Sequence, residues 1–134
     1  FEAGTPDFVD IAALSSCLDF MKRVGIDNIA AHEHELLEWT TAEMQKIPGM
    51  RIFGTTPGKC AVISFLLGNA HHYDTGMLLD KLGIAVRTGH HCAQPLMESL
   101  GIEGTVRASF GLYNTMDEAR AFIEALHRIQ PMLA

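Results

Sequence analysis

The sequence predicts a single α/β domain, a two-layer sandwich in which helices pack on one small, mixed β-sheet. Helical and strand-like patterns alternate along the chain, no segment repeats, and no low-complexity linker divides it. The chain has 134 residues, of which 48% are hydrophobic and 19% charged, so it can form one hydrophobic core. Fold class alone assigns no chemistry, so any function depends on individual residues.

The first two elements are predicted to be helices. Helical spacing indicates a helix over residues 7–24, with the hydroxyl of Thr5 as its cap and Pro6 in its first turn. Its apolar positions are Ile11, Leu14, Leu18 and Met21. Asp27 is the expected cap of a second helix, which Pro48 has to end.

Short apolar runs then predict the sheet. The expected strands cover residues 51–53, 60–67, 84–87 and 105–110. Helical spacing predicts helices over residues 73–82 and 95–100 between them. Thr115 and Glu118 have the spacing of a capping box, which predicts a final helix that ends at Pro131.

Charge and hydropathy exclude several classes of protein. Ten Lys and Arg against sixteen Asp and Glu give a net charge of −6, which disfavours nucleic-acid binding. No apolar run approaches the roughly 18 residues of a membrane span, and no secretory signal opens the chain. Three cysteines without close pairs are typical of a reducing compartment, so we expect a cytoplasmic protein. The start at Phe1 leads us to expect a fragment.

Cys92 is the first candidate for chemistry. It follows a strand and begins a short helix, and the helix N-terminus, the imidazoles of His90 and His91 and the guanidinium of Arg87 would each favour a thiolate nucleophile. The alternative is a buried structural cysteine, since cysteine is among the most often buried residues. For the other two cysteines, Cys17 and Cys60, we expect core thiols.

Arg107 and the Gly4-Thr5 pair are candidates for binding anions. An arginine in the middle of a strand requires a carboxylate partner, which could be an internal acidic residue or a substrate. The hydroxyl of Thr5 and the nearby backbone amides could cap a helix or bind a phosphate.

Paired histidines raise the alternative of a zinc site, because imidazole and thiolate are zinc ligands. The candidate ligands are His71, His72, His90, His91, Cys92, Asp74, His32 and His34. Their spacing does not place two ligands on one face of a helix, so we expect no metal site.

Three motifs closely resemble the C-terminal part of the group II cysteine desulfurases, whose members include selenocysteine lyases. They are the run from residue 87 to 97 (Arg-Thr-Gly-His-His-Cys-Ala-Gln-Pro-Leu-Met), residues 107–110 and residues 113–115. Residues 1–6 extend the resemblance over essentially the whole chain. These proteins are fold-type I pyridoxal-phosphate enzymes of the class V aminotransferase superfamily.

The resemblance implies a role for Cys92 as the nucleophile that takes sulfur from L-cysteine as a persulfide and leaves L-alanine. It implies that Arg107 binds the substrate carboxylate and that Arg87 and His90 line the same pocket. It further implies a short, constrained cysteine loop, a sulfur-acceptor protein that reaches it, and a role in iron–sulfur cluster assembly.

The resemblance also implies that Thr5, with Gly4, holds the cofactor phosphate of a neighbouring subunit, and hence a homodimer. In this family a lysine of a large N-terminal domain binds the cofactor, and no such domain is present in this chain. None of the four lysines matches a cofactor motif: Lys22, Lys46, Lys59 and Lys81. We therefore expect residues 1–134 to be the C-terminal domain of the enzyme and to be inactive alone.

Two groups of alternatives remain open from the sequence. Within the superfamily, the whole protein could be a selenocysteine lyase or another class V aminotransferase. From a different class, the chain could be a non-catalytic domain that binds a metal or a partner.

Overall fold

The computed structural model describes residues 3–133 of the chain. The helices are α1 (Phe8–Val24), α2 (Ile26–Met44), α3 (His72–Lys81), α4 (Gln94–Leu100) and α5 (Met116–Ile129), and a 3-10 turn, Gln130–Met132, follows the last. The strands are β1 (Met50–Phe53), β2 (Val62–Leu67), β3 (Arg87–Gly89) and β4 (Thr105–Ser109). The predicted order of helices and strands is confirmed. None of the helices in residues 3–133 is both long and apolar enough to cross a membrane.

The four strands form one sheet in the order β1-β2-β4-β3, and every neighbouring pair is antiparallel. The prediction of an α/β domain with helices packed on a small sheet is confirmed, but the prediction of a mixed sheet is wrong. β2 and β3 run in the same direction and are joined through α3. Because β4 inserts between them and pairs antiparallel with both, no two parallel strands become neighbours.

The two faces of the sheet have different characters, because side chains alternate along each strand. On one face, Phe65 and Val106 are fully buried against the helical layer, and Phe65 meets Phe122 of α5 edge-on at 6.1 Å between ring centroids. Residues of α2 and α3 complete this core. The other face carries polar positions, including Ser64 and Arg107, which lie opposite each other in β2 and β4. This second face bears the candidate site.

The expectation that Cys17 and Cys60 are core thiols is wrong, since both are exposed. Cys17 lies in α1, which buries none of its residues within this chain. Cys60 lies in the loop before β2, which begins at Val62 rather than at the predicted residue 60. Cysteine's preference for burial is therefore overridden in both cases by where the elements begin and what they pack against.

Two helix caps differ from the prediction. Asp7, rather than Thr5, caps α1, because the helix begins at Phe8 and the Asp7 carboxylate accepts from the Asp10 amide at 3.2 Å. Gly25, at φ 94°, separates α1 from α2, so that Asp27 lies inside the first turn of α2 instead of capping it.

The capping box at the start of α5 is confirmed. The Thr115 hydroxyl accepts from the Glu118 amide at 3.2 Å, and the Glu118 carboxylate accepts from the Thr115 amide at 2.8 Å.

Candidate functional site

Cys92 lies in the loop between β3 and α4, two residues before the helix begins, and it is exposed. The alternative of a buried structural cysteine is therefore wrong. His91 and Cys92 both have left-handed backbone conformations, with φ of 56° and 57°. Each such conformation costs a residue other than glycine about 1 kcal/mol or more. Contacts around the loop have to offset that cost.

His90 shapes the turn that presents Cys92. Its Nδ1 accepts a hydrogen bond from the Cys92 amide at 3.1 Å, and its carbonyl accepts one from the Ala93 amide at 2.9 Å. Since Nδ1 is an acceptor here, the ring proton of His90 belongs on Nε2. The His90 side chain is exposed, so Nε2 is the nitrogen left to face a ligand.

Arg87, the first residue of β3, reaches back to the cysteine. Its Nη2 donates a hydrogen bond to Cys92 Sγ at 3.8 Å. This contact places a permanent positive charge beside the sulfur atom, where it can stabilise negative charge that develops there.

Arg107 lies directly opposite Arg87 in the antiparallel β3–β4 ladder. The Nε of Arg107 is buried without a hydrogen-bond partner, and no acidic residue in 3–133 forms an ion pair with either arginine. The internal salt bridge that the sequence left open is thus not found among the described residues. Two arginines that lie opposite each other on one face of a sheet without a counter-charge are suited to bind an anion such as a carboxylate.

His91 and Thr105 belong to the same cluster. The sequence indicated His91 only as a neighbour of Cys92 and a candidate metal ligand, and it did not indicate Thr105 as a site residue. His91 Nε2 lies 2.9 Å from Thr105 Oγ1 at the start of β4. Burial, and then the charge of Arg107, lower the pKa of His91 below its usual value of 6.5, so its ring is neutral near pH 7. The sequence signals for this pair are weak: the adjacent histidines His90 and His91, and the position of Thr105 two residues before Arg107.

Close backbone packing holds β3 against β4 at this end of the sheet. A Cβ atom added at Gly104 would lie 2.7 Å from the Gly89 carbonyl carbon and 2.7 Å from His72 Nε2. Glycine is therefore required at position 104 for the ends of the two strands to meet. This packing fixes the distance between the strands that carry Arg87 and Arg107.

The site lies on an open face of the domain, beside an apolar cavity of about 290 Å³. The cavity is lined by Phe53, Ser64, Leu96, Met97, Leu100 and Thr105, together with Gly54. Because Arg87 and Cys92 are exposed, another layer of protein is needed to enclose a small ligand here.

Gly4 and Thr5 lie ahead of α1 and are exposed. Within the described part of the chain, no hydrogen bond or ion pair connects them to the cluster around Cys92. The structure therefore brings together Cys92, Arg87, His90 and Arg107, and it does not bring Thr5 or Gly4 to them.

The histidine pairs do not gather into a metal centre. His71 and His72 stack with ring centroids 4.1 Å apart, and His71 contacts Glu103 at 3.3 Å. Across residues 3–133, no three His, Cys, Asp or Glu side chains come close enough together to hold a metal ion.

The lysines serve other contacts. Lys22 approaches Asp19 of its own helix, Lys46 approaches Glu43 from the turn after α2, and Lys59 donates to the Gly54 carbonyl. Lys81 lies in the last turn of α3. None of the four lysines belongs to β3, β4 or the cysteine loop.

Comparisons with known proteins agree on one family. The family described as Aminotransferase class-V matches residues 1–122. A probable cysteine desulfurase of Xylella fastidiosa is 48% identical over 99% of this chain, and a cysteine desulfurase of Synechococcus elongatus is 46% identical over 97% of it. The crystal structure of the cysteine desulfurase CsdA from Escherichia coli is similar to the whole chain, with a TM-score of 0.89 and 34% identity.

The chain spans only part of each of these proteins. It covers 32% of the Xylella relative, 21% of the Synechococcus relative and 33% of the Escherichia coli structure.

Proposed function

Because this chain belongs to the class-V aminotransferase family, we propose that it is the small C-terminal domain of a pyridoxal-phosphate-dependent cysteine desulfurase. The observation that carries the proposal is the arrangement of one thiol and two arginines. Exposed Cys92 accepts a hydrogen bond from Arg87, and Arg87 lies opposite Arg107, which has no ion-pair partner in residues 3–133. A cysteine substrate requires one site for its carboxylate and an acceptor for its sulfur, and this face offers both.

In this proposal Arg107 binds the substrate carboxylate, for which a planar guanidinium with several donors is well shaped. The unpartnered Nε of Arg107 and its position opposite Arg87 support this role. Holding the carboxylate also orients the rest of the substrate, so that its sulfur approaches Cys92.

The sulfur transfer itself is a nucleophilic displacement by Cys92. Its thiolate attacks the substrate sulfur, an S–S bond forms, and the substrate's carbon–sulfur bond breaks with its electron pair left on carbon. Pyridoxal phosphate, when bound, supplies the electron sink for that pair. Protonation of the carbon gives alanine, and Cys92 is left as a persulfide beside the Arg87 guanidinium.

The cofactor would be held mainly by residues outside this chain, because no lysine lies in β3, β4 or the cysteine loop. We assign Thr5 and Gly4 to the cofactor phosphate of a neighbouring subunit, which makes the full-length protein a homodimer. The exposure of both residues, and a Thr5 hydroxyl that does not cap α1, support this assignment.

The partner that removes the persulfide is a sulfur-acceptor protein. Cys92 is exposed on a short loop between β3 and α4, whose turn is shaped by hydrogen bonds to His90 and which a His91–Thr105 hydrogen bond joins to β4. Such a loop cannot travel far, so the acceptor has to approach it. We place this transfer in iron–sulfur cluster assembly in the cytoplasm, where the free thiols of Cys17 and Cys60 would stay reduced.

The test uses the full-length protein loaded with pyridoxal phosphate and supplied with L-cysteine. We expect stoichiometric alanine and persulfide, and we expect Cys92→Ser to abolish turnover while Cys60→Ser, the matched exposed cysteine, leaves it unchanged. A protein that binds the cofactor but forms no alanine, or a Cys92→Ser variant that is fully active, would disprove the proposal. Turnover of selenocysteine by Cys92→Ser would instead favour a selenocysteine lyase, since selenium leaves carbon more readily.

A further inference from the structure

We propose that His91 is a positioning residue: its hydrogen bond to Thr105 fixes the sulfur of Cys92 relative to the arginine pair. The inference rests on the proposed role of Cys92 as sulfur acceptor. His91 itself is half-buried and does not have to touch the substrate for this role.

The hydrogen bond connects two different elements. His91 precedes Cys92 in the loop, whereas Thr105 is the first residue of β4 and is only 1% exposed. Thr105 lies two residues before Arg107 on the same face of the strand. The bond therefore joins the cysteine loop directly to the strand that carries the proposed carboxylate site.

We expect the cysteine loop to shift if the His91–Thr105 hydrogen bond is lost. Both His91 and Cys92 are held in left-handed conformations that disfavour residues other than glycine. The hydrogen bonds of His90 are local, within three residues, and so they shape the turn without fixing it against the sheet. Within residues 3–133, the side-chain hydrogen bond that Arg87 makes to the loop ends on the sulfur itself.

The surroundings of His91 keep the ring in the form that this role requires. Burial and then the charge of Arg107 on β4 oppose its protonation, as do the charges of Arg87 on β3 and His72 on α3. The backbone of Thr105 favours protonation, but the net effect is a lowered pKa of His91. A neutral ring keeps one nitrogen to share a proton with the Thr105 hydroxyl and adds no charge beside the carboxylate site.

The proposal is tested in the full-length holoenzyme with three substitutions and one control. Thr105→Val removes the hydroxyl but keeps the volume, Thr105→Ser restores the hydroxyl, and His91→Gly removes the side chain but favours the left-handed backbone. The control is Thr40→Val, because Thr40 is also fully buried and its hydroxyl has no partner in the described structure.

We expect Thr105→Val and His91→Gly to lower kcat for L-cysteine about tenfold to a hundredfold with KM nearly unchanged. We expect the rate at which iodoacetamide alkylates Cys92 to change in the same two variants. Thr105→Ser should recover most of kcat, and Thr40→Val should match the wild type. If residue 91 served only to adopt its left-handed backbone conformation, His91→Gly would instead be as active as the wild type, because glycine favours that conformation.

The proposal is overturned if Thr105→Val keeps the wild-type kcat and alkylation rate, or if KM rises while kcat is retained. If Thr105→Val does not fold, His91→Gly tests the proposal on its own, because it removes the same hydrogen bond. If the wild-type protein forms no alanine at all, the proposed function fails, while the alkylation rates still decide whether His91 positions Cys92.

Discussion

Arg87 and Arg107 occupy directly opposed positions in the β3–β4 ladder, so two like charges share one face of the sheet. Like charges in that relationship are destabilising unless an anion lies between or beside them. No carboxylate of residues 3–133 forms an ion pair with either one. This arrangement supports the proposal that Arg107 binds an anion supplied from outside residues 3–133.

Replacing Arg107 by lysine should weaken substrate binding more than it slows chemistry. Lysine keeps the charge but loses the planar, two-donor geometry that matches a carboxylate. In the full-length enzyme we expect KM for L-cysteine to rise about tenfold or more with a smaller change in kcat. Arg120→Lys is the control, because Arg120 pairs with Asp117 on the surface of α5. An unchanged KM in Arg107→Lys would remove the carboxylate site from our account.

Gly104→Ala should disturb the site without touching its charged residues. The new Cβ would press on the Gly89 backbone and on His72, so β3 has to shift away from β4. We expect thermal unfolding of the domain at a lower temperature, together with a loss of the proposed desulfurase activity in the full-length holoenzyme. Full stability and activity in this variant would show that the two strand ends tolerate a wider separation.

Stability should fall as the pH falls from about 7 toward 5. The pKa values of His91 and His72 are lowered, first by burial, from their usual 6.5, so the unfolded chain binds protons in this range more readily than the folded one. The two neutral histidines contribute their full stabilisation of the folded state above the unfolded pKa of 6.5. This contribution is lost as the pH falls through their lower pKa values in the folded state. Urea unfolding at several pH values measures this loss.

His91→Gln should make the free energy of unfolding fall less steeply between about pH 7 and pH 5, because one of the two histidines with a lowered pKa is removed. The lowered pKa of Glu118 acts in a more acidic range, below its usual 4.5, and so does not interfere. Stability that is flat or that rises between about pH 7 and pH 5 would contradict the placement of these rings.

Thr115→Ala should destabilise the domain by about 1 kcal/mol, since it removes one of the two reciprocal bonds of the capping box. Thr55→Ala, in the exposed loop after β1, is the matched control and should be close to neutral. Equal free energies of unfolding for the two variants would mean that the cap contributes nothing measurable.

Much of the fold could be predicted from local patterns. The amphipathic spacing and capping box of α5 locate that helix because both signals lie within a few residues of each other. Local patterns could not predict that the sheet is antiparallel, because the insertion of β4 between β2 and β3 depends on pairing between residues far apart in the sequence. The exposure of Cys17 was missed for a related reason, because a helix pattern does not say what the helix packs against.

The sequence names candidate residues but not their geometry. The resemblance of residues 87–97 and 107–110 to a known family indicates Cys92 and Arg107 as candidates, yet no pattern along the sequence places Arg87 opposite Arg107. His91 and Thr105 are separated by 14 positions in the sequence, so their hydrogen bond becomes visible only once the loop and β4 are placed together.

In the proposed reaction, Cys92 receives the sulfur of a substrate whose carboxylate is held by Arg107. The most direct measurement is peptide mass spectrometry of the full-length holoenzyme after brief exposure to L-cysteine without an acceptor. We expect the peptide that contains Cys92 to gain the mass of one sulfur atom and to lose it on reduction, while the peptides that contain Cys17 and Cys60 stay unmodified. Alanine formation with no added sulfur on Cys92, or with equal sulfur on all three cysteines, would contradict the account.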